Sequence, residues 1–379
     1  MKKRLLALFL AANLTLVLAA CGGAGAAEKP AASEPAATQQ SAAAEAPAPT
    51  ESKPKDLGTI RVGTNPGTGN IYGFIAMEKG FDKEEGYTTE LVNFDNSTDA
   101  LNALQTNKID VGVNFGTAAP LTFVVQGADF TLFGGYVSGG MPVYAAPDFD
   151  YQDLSSFVGK KVGTARMYTP DILFRGAMMR AGYDLEKDVE INEFKKPSEV
   201  LAAVKSGQID VGVGTNSTYL GAMDSGMKVL CWTNDLDPEA VCCRQVATTA
   251  WINENPELAV AYLKSLIRAE EVLHTDPDYA VEVFAKHMEL EPDRAKLLLL
   301  ETNQELWTDP KSNGVQTMWE TMNQLKYIDG EGIDVTTHIN IDLYKTALDE
   351  LIAEYPDDTY FSQTLVDRYN TNNSILLGK

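Results

Sequence analysis

Between residues 58 and about 213 the chain alternates short apolar runs with amphipathic stretches. Thr59 to Thr64 reads as a strand that opens into the polar loop Asn65 to Asn70. A second strand is predicted near Thr89 to Phe94, a helix from about Thr98 to Thr106, and a third strand from Ile109 to Val113. The same order returns 100 residues later, with strands at Lys161 to Thr164, Val189 to Phe194 and Ile209 to Val213, and a helix at Glu199 to Lys205. Arg61-Val62-Gly63-Thr64 matches Lys161-Val162-Gly163-Thr164, Phe74 matches Phe174, and Phe94 matches Phe194. Leu101 and Ala103 match Leu201 and Ala203, and Ile109-Asp110-Val111-Gly112-Val113 recurs unchanged as Ile209 to Val213. A period this long is not a solenoid unit. Strands alternating with helices predict an α/β fold of two similar lobes, with mixed, mainly parallel sheets. In such sheets ligands bind outside the carboxyl ends of the strands. Two facing lobes would therefore share one cleft.

Downstream, Gln245 to Ile252 reads as a strand, and a helical block follows. Pro256, after a capping Asn255, suits a first helical position. Ala259, Tyr262, Leu263, Leu266 and Leu273 form an apolar stripe at helical spacing. Asp276-Pro277 and Glu291-Pro292 open two more helices. The pattern divides the chain into lobe 1 (residues 58–138 plus 246–330, with the helical block), lobe 2 (139–245) and a C-terminal extension (331–379). The chain would cross between lobes near Ser138 to Pro142 and near Cys242 to Gln245, with Gly134, Gly135, Gly139 and Gly140 as hinge candidates.

The N-terminus adds an address. Lys2, Lys3 and Arg4 precede an apolar run from Leu5 to Leu18, so residues 1–20 read as a secretory signal peptide. The apolar run is shorter than the roughly 20 residues a membrane span needs. Leu18-Ala19-Ala20-Cys21-Gly22 resembles the bacterial lipobox, which predicts lipidation of Cys21 and anchoring on the extracytoplasmic face of the cell membrane. Residues 21–57 are mostly small and polar and read as a disordered tether.

A formal net charge of -22 argues against nucleic acid, which needs clustered Lys and Arg. Besides Cys21, the cysteines are Cys231, Cys242 and Cys243. They read as buried small hydrophobes, and a bond from Cys231 to Cys242 or Cys243 stays open. No CxxC spacing occurs and the histidines lie far off at 274, 287 and 338, so neither a metal site nor a Ser-His-Asp set is expected. Asp110 and Asp210 read as structural, since each precedes a strand in its own lobe.

These features together resemble a substrate-binding lipoprotein of an ABC importer. The similar group is that for nitrate, sulfonate, taurine and thiamine-pyrimidine precursors, with the type II periplasmic-binding-protein fold. The two Ile-Asp-Val-Gly-Val blocks carry the resemblance, with Cys242-Cys243-Arg244-Gln245 and Trp251-Ile252-Asn253-Glu254-Asn255-Pro256-Glu257. It covers about residues 57 to 330. It implies a monomeric, non-enzymatic receptor without cofactor, which captures a small organic or anionic solute by hinge closure and hands it to a membrane permease. Fungal pyrimidine synthases share the fold, and a Cys-rich motif of theirs sits where Cys242-Cys243 falls. This chain has two of those cysteines and no histidine in either repeat, which points away from synthase chemistry.

The candidate ligand contacts follow from the strand ends. In the first copy they are Gly67, Thr68, Gly69 and Asn70, whose glycines admit close backbone approach, and Phe115, Gly116 and Thr117. The loop is no phosphate loop, because no Gly-Lys-Ser/Thr follows. In the second copy they are Arg166, Tyr168 and Thr169, then Thr215, Asn216 and Ser217. Tyr72 and Tyr136 add ring faces. Thr169 followed by Pro170 reads as a helix start aimed into the cleft, an anion site to which Arg166 would add charge.

Overall fold

Asp110 and Asp210 perform the same task in the two halves of the chain. In the computed structural model, which describes residues 55–378, Asp110 Oδ2 accepts the Arg61 backbone N–H at 2.8 Å, and Asp210 Oδ2 accepts that of Lys161 at 2.8 Å. Each carboxylate thus ties the start of the third strand of its copy to the first. The glycines of the repeat have an equally concrete cause. A Cβ on Gly63 would sit 2.2 Å from Ile109 Cδ1, and one on Gly163 would sit 2.2 Å from Ile209 Cδ1. The 100-residue repeat is a repeat of packing.

In the first copy the strands are β1 (Gly58–Thr64), β2 (Tyr87–Asn93) and β3 (Val111–Gly112). The chain then crosses through β4 (Phe130–Gly139) and β5 (Pro142–Ala145). The second copy supplies β6 (Lys161–Ala165), β7 (Glu190–Phe194) and β8 (Val211–Val213). After β9 (Lys228–Trp232), the chain returns through β10 (Cys243–Thr248) and adds β11 (Gln304–Glu305). One sheet has the order β11-β4-β10-β3-β1-β2 and the other β7-β6-β8-β5-β9. Gly63 lies opposite Gly112 and Gly163 opposite Gly212 in matching parallel pairs. The crossing strands β4, β5, β9 and β10 pair antiparallel, as does β11, so both sheets are mixed and their antiparallel share exceeds the sequence expectation.

Element boundaries shift for local reasons. The third strands begin at Val111 and Val211, because Ile109 and Asp110, with their repeats, are spent on packing and on the carboxylate bond. The predicted strand Gln245 to Ile252 is a strand only to Thr248. Thr248 Oγ1 accepts the Trp251 N–H at 3.1 Å and starts the short helix Thr249–Glu254. The second sheet runs from Pro142 to Trp232, and the chain has rejoined the first sheet by Cys243. Gly139, the last residue of β4, and Gly140 after it have φ of 62° and 65°, as a tight crossing requires. Gly134 and Gly135 lie inside β4 and serve close packing there.

Residues 331–378, in the expected C-terminal extension, pack against lobe 1. Ile339 bridges Leu132 of β4, and helix Asp342–Glu354 packs on helix Pro256–Thr275. Tyr344, Leu348, Leu351, Phe361, Leu365 and Tyr369 share one buried core with Ile60 and Leu132. Arg368 pairs with buried Glu270 at 2.5 Å. No helix among the described residues is long and apolar enough to cross a membrane. The signal-peptide, Cys21 and most of the tether expectations fall outside the described residues.

Glu271, on helix Pro256–Thr275, reports on this docking. Burial and then the neighbouring Asp358 carboxylate push it up to about 7, from an ordinary value of 4.5. The folded protein therefore holds a proton that the unfolded chain releases, and this stabilisation is lost as pH rises from about 4.5 through 7. Glu271→Gln should remove that dependence. Chemical denaturation at pH 5 and pH 8 should show the variant gaining on wild type at the higher pH. Parallel stability curves would mean that the fold does not raise Glu271.

Candidate functional site

The loops at the carboxyl ends of the parallel strands of both lobes surround a cavity of about 710 Å³. From lobe 1 come Asn65 to Thr68 after β1, Asp95 to Thr98 after β2, and Asn114 to Gly116 after β3. From lobe 2 come Arg166 to Pro170 after β6 and Thr215 to Ser217 after β8. Met141, Cys242 and Cys243 line it at the two crossings, and Phe284, Met288 and Leu298 close it from the C-terminal helices. The polar lining is mainly amide, hydroxyl and backbone. Among the lining residues Arg166 is the one cation and Asp95, which is exposed, the one carboxylate.

Of the residues singled out from sequence, Gly67, Thr68, Phe115, Gly116, Arg166, Tyr168, Thr169, Thr215, Asn216 and Ser217 line this cavity. Gly69, Asn70, Tyr72, Thr117 and Tyr136 do not, and each has a structural task instead. Asn70 is buried, accepts the Thr64 and Tyr136 hydroxyls at 2.7 Å each, and donates to Asn65 O at 2.9 Å. A Cβ on Gly69 would lie 2.3 Å from the Tyr136 ring, so the loop can rest on that ring only as glycine. Tyr72 is fully buried and meets Tyr136 edge-on, with ring centroids 6.2 Å apart. Burial raises both phenols well above their ordinary value. Thr117 donates to Cys242 O at 2.9 Å and so fastens the β3 loop to the return crossing.

Sequence reasoning missed several walls. Asn114 holds a left-handed backbone, φ 62°, and its Nδ2 donates to Asn65 O and Oδ1 at 2.9 and 2.8 Å. An Asn directly after the repeated strand is the signal that points to such a turn. Phe284, Met288 and Leu298 carry no local signal, because they reach the cleft only through tertiary packing.

The expected anion site at the start of helix Thr169–Arg180 is already occupied by protein charge. Asp171, in its first turn, is fully buried and accepts the Met167 N–H at 3.0 Å, Arg175 Nε at 2.7 Å and the Tyr327 hydroxyl at 2.8 Å. Arg166 donates to Glu193 Oε1 at 2.7 Å and lies over the Tyr327 ring, 4.4 Å from its centroid. Arg175 shares the same Glu193 oxygen at 2.7 Å. Two guanidiniums and two carboxylates thus balance within the protein.

The lobes are joined on both flanks of the cleft. On one flank Gln304 Oε1 accepts from Thr68 of lobe 1 and, at 2.8 Å, from Asn216 Nδ2 of lobe 2. Leu298 O and Thr302 Oγ1 hold the Gln304 amide nitrogen at 2.7 and 2.5 Å. Arg294 and Asp224 add a pair of 2.7 Å bonds. On the other flank Arg180 of lobe 2 bonds Thr321 of lobe 1 at 3.3 Å, its guanidinium also held by Asp237 of its own lobe at 2.6 Å. Ile172 and Leu173 there share the core of Val315 and Met318.

A profile of the NMT1-like family matches residues 53–287, the span that holds both copies of the repeat. The chain belongs to the NMT1-like family. Among its relatives is a Brucella abortus protein named "Putative binding protein", 25% identical over 270 residues, which are 66% of this chain and 82% of that one. Among solved structures, the periplasmic aliphatic sulphonate binding protein of Escherichia coli superposes with a TM-score of 0.59 at 18% identity, covering 71% of this chain and 88% of that one. The periplasmic nitrate-binding protein of Synechocystis gives 0.60 at 15% identity, covering 77% and 89%. At such identities the two structures establish the shared two-lobed fold. This NMT1-like chain departs from the family profile's span in its last 92 residues, from 288 to 379, which include the Gln304 bridge.

Gln304→Ala should loosen the contact between the lobes, since its cross-cleft hydrogen bond to Asn216, worth about 0.5–1.5 kcal/mol, is lost. Small-angle scattering of the unliganded variant should show a larger radius of gyration than wild type, with little change in melting temperature. An unchanged scattering curve would mean that the flanks hold the lobes without Gln304.

Proposed function

We propose that this protein is the extracytoplasmic solute receptor of an ABC importer, capturing a small organic molecule between its lobes and presenting it to a membrane permease. The observation that carries this reading is the cavity itself. It is walled by equivalent loops of two repeated lobes, at the strand ends where α/β sheets bind ligands. Membership of the NMT1-like family and the named binding roles of its relatives and structural neighbours support it. The signal-peptide pattern and the Cys21 context support attachment by lipid outside the cytoplasmic membrane. Two acyl chains there give stable anchoring where one is marginal.

The lining favours an uncharged or zwitterionic solute with an apolar part over a simple oxyanion. Arg166 is committed to Glu193, while Met141, Phe284, Met288 and Leu298 supply an apolar wall. The volume lies in the range of pockets for organic ligands, about 300–1,000 Å³. A nitrate ion fills little of it. A non-enzymatic role is supported by the binding roles in the names of its relative and structural neighbours.

A thermal-shift screen of pyrimidines, amino acids, sulfonates and nitrate tests this. Binding to the folded state alone contributes about 2.7 kcal/mol at a hundredfold excess over Kd. We expect a neutral or zwitterionic organic compound to raise the melting temperature. Ser217→Trp, which places bulk at an exposed lining position, should lower affinity for that compound at least tenfold and leave the unliganded protein intact. Arg166→Ala should change affinity by less than tenfold. Strong stabilisation by nitrate or a small sulfonate, lost in Arg166→Ala, would overturn the solute class. Unaltered affinity in Ser217→Trp would overturn the cleft as the binding site.

A further inference from the structure

Cys242 and Cys243 stand where the chain leaves lobe 2 and enters β10, and both line the cleft. Their Sγ atoms are 3.5 Å apart, in van der Waals contact. The two lobes meet around them. The Thr169 hydroxyl, from the helix start in lobe 2, is within hydrogen-bonding reach of the Cys242 thiol, and the Gly116 N–H, from lobe 1, is within reach of Cys243. Gly116 has φ 77°, and a Cβ there would lie 3.6 Å from Thr169 Oγ1 and 4.0 Å from Cys242 O, so the two lobes and the crossing meet here at contact distance. The Arg244 guanidinium follows in sequence and adds positive potential.

With the Cys242 S–H as donor, the contact lowers the pKa of Cys243, aided by Gly116 N–H and Arg244 against the cost of burial. The same contact raises Cys242. Cys231 is the internal contrast. It is buried in the lobe 2 core, absent from the cavity lining, and pushed up to about 12 by burial. A thiol reagent small enough to enter the solute's cavity thus meets the pair, Cys242 being the less buried of the two, while Cys231 lies off that route.

We propose that Cys242 and Cys243 form a redox-active dithiol on the wall of the solute cleft, closing to a disulfide by exchange with a small disulfide that enters by the solute's own route. Cys243, as thiolate, attacks one sulfur of the small disulfide. That S–S bond breaks, one small thiolate leaves, and a mixed disulfide forms on Cys243. Cys242 gives up its proton to the departing thiolate and attacks Cys243 Sγ, expelling the second small thiolate. The two protein sulfurs are oxidised, and the small disulfide is reduced to one thiol and one thiolate, which takes up from solvent the proton that Cys243 had released. The ring closed by adjacent cysteines is strained, and strained disulfides have the higher potentials of labile, regulatory bonds. The product is therefore a reversible state of the cleft wall and not a structural staple. This inference rests on the cavity and its thiols and holds whatever the solute is.

The test uses the intact protein and 2-hydroxyethyl disulfide, followed by mass spectrometry of the Cys242–Cys243 peptide. Wild type should lose two hydrogen atoms from that peptide, with no adduct remaining and Cys231 unmodified. Cys242→Ser should trap the mixed disulfide on Cys243, and Cys243→Ser should react about tenfold more slowly, in line with its lost thiolate. A stable mixed disulfide on wild type would overturn the closure step. Absence of any change at Cys242 and Cys243, under conditions that modify them fully in the unfolded chain, would overturn the site. The wild-type product decides both points if a variant fails to fold.

Discussion

Arg244 brings a charge into the interior at the place where the chain passes between its lobes. Its side chain is 1% exposed and makes no ion pair with a carboxylate in the described residues. Burying an isolated charge is costly unless hydrogen bonds replace its water. Here Val137 O takes Nη2 at 2.8 Å with Ser138 Oγ beside it, and Asp309 O takes Nη1 at 3.1 Å. Three segments must therefore converge on one guanidinium: the end of β4, the start of β10, and the stretch before helix Ser312–Gln324. Gly135 makes room, since a Cβ there would fall 2.1 Å from Asp309 O. The next residue, Gln245, extends the joint by accepting the Tyr262 hydroxyl at 2.8 Å and donating to Gly135 O at 3.0 Å.

With the crossings set in this way, two similar lobes can face each other through the carboxyl ends of their parallel strands. The cleft inherits its walls from that arrangement: strand-end loops from each lobe, thiols from the return crossing, and apolar side chains from the C-terminal helices. Its electrostatics follow from neutralisation inside lobe 2, where Asp171 and Glu193 take up Arg175 and Arg166. A solute entering such a site meets directional amides and hydroxyls and a greasy wall, with little net charge. The cross-lobe bonds of the flanks, Asn216 to Gln304, Arg294 to Asp224 and Arg180 to Thr321, are few, and they keep the walls together.

Much of this was legible in the chain. Residues 61–113 and 161–213 declare themselves as one plan used twice, because a βαβ unit is built from contacts close in sequence. Asp110 and Asp210, read as structural, fasten the first strand to the third. The loops after the repeated strands led to ten of the cavity's residues, from Gly67 to Ser217. The failures have a common cause. Tyr72 and Tyr136 looked like ring faces for a ligand, but the short turn Thr68–Asn70 leads directly into helix Ile71–Lys79 and turns Tyr72 inward. Arg166 looked like a free cation because Glu193 and Tyr327 reach it only in the folded chain. The antiparallel crossings and the docking of residues 331–378 depend on pairings across long separations, which periodicity does not encode.

The account depends most on Arg244 as the joint of the crossings, and hydrogen–deuterium exchange of Arg244→Met against wild type tests that directly. Exchange should rise at residues 137–141, 237–243 and 307–311, while β1 to β3 and β6 to β8 keep their protection. Equal loss of protection across both sheets, or no change at the crossings, would contradict it.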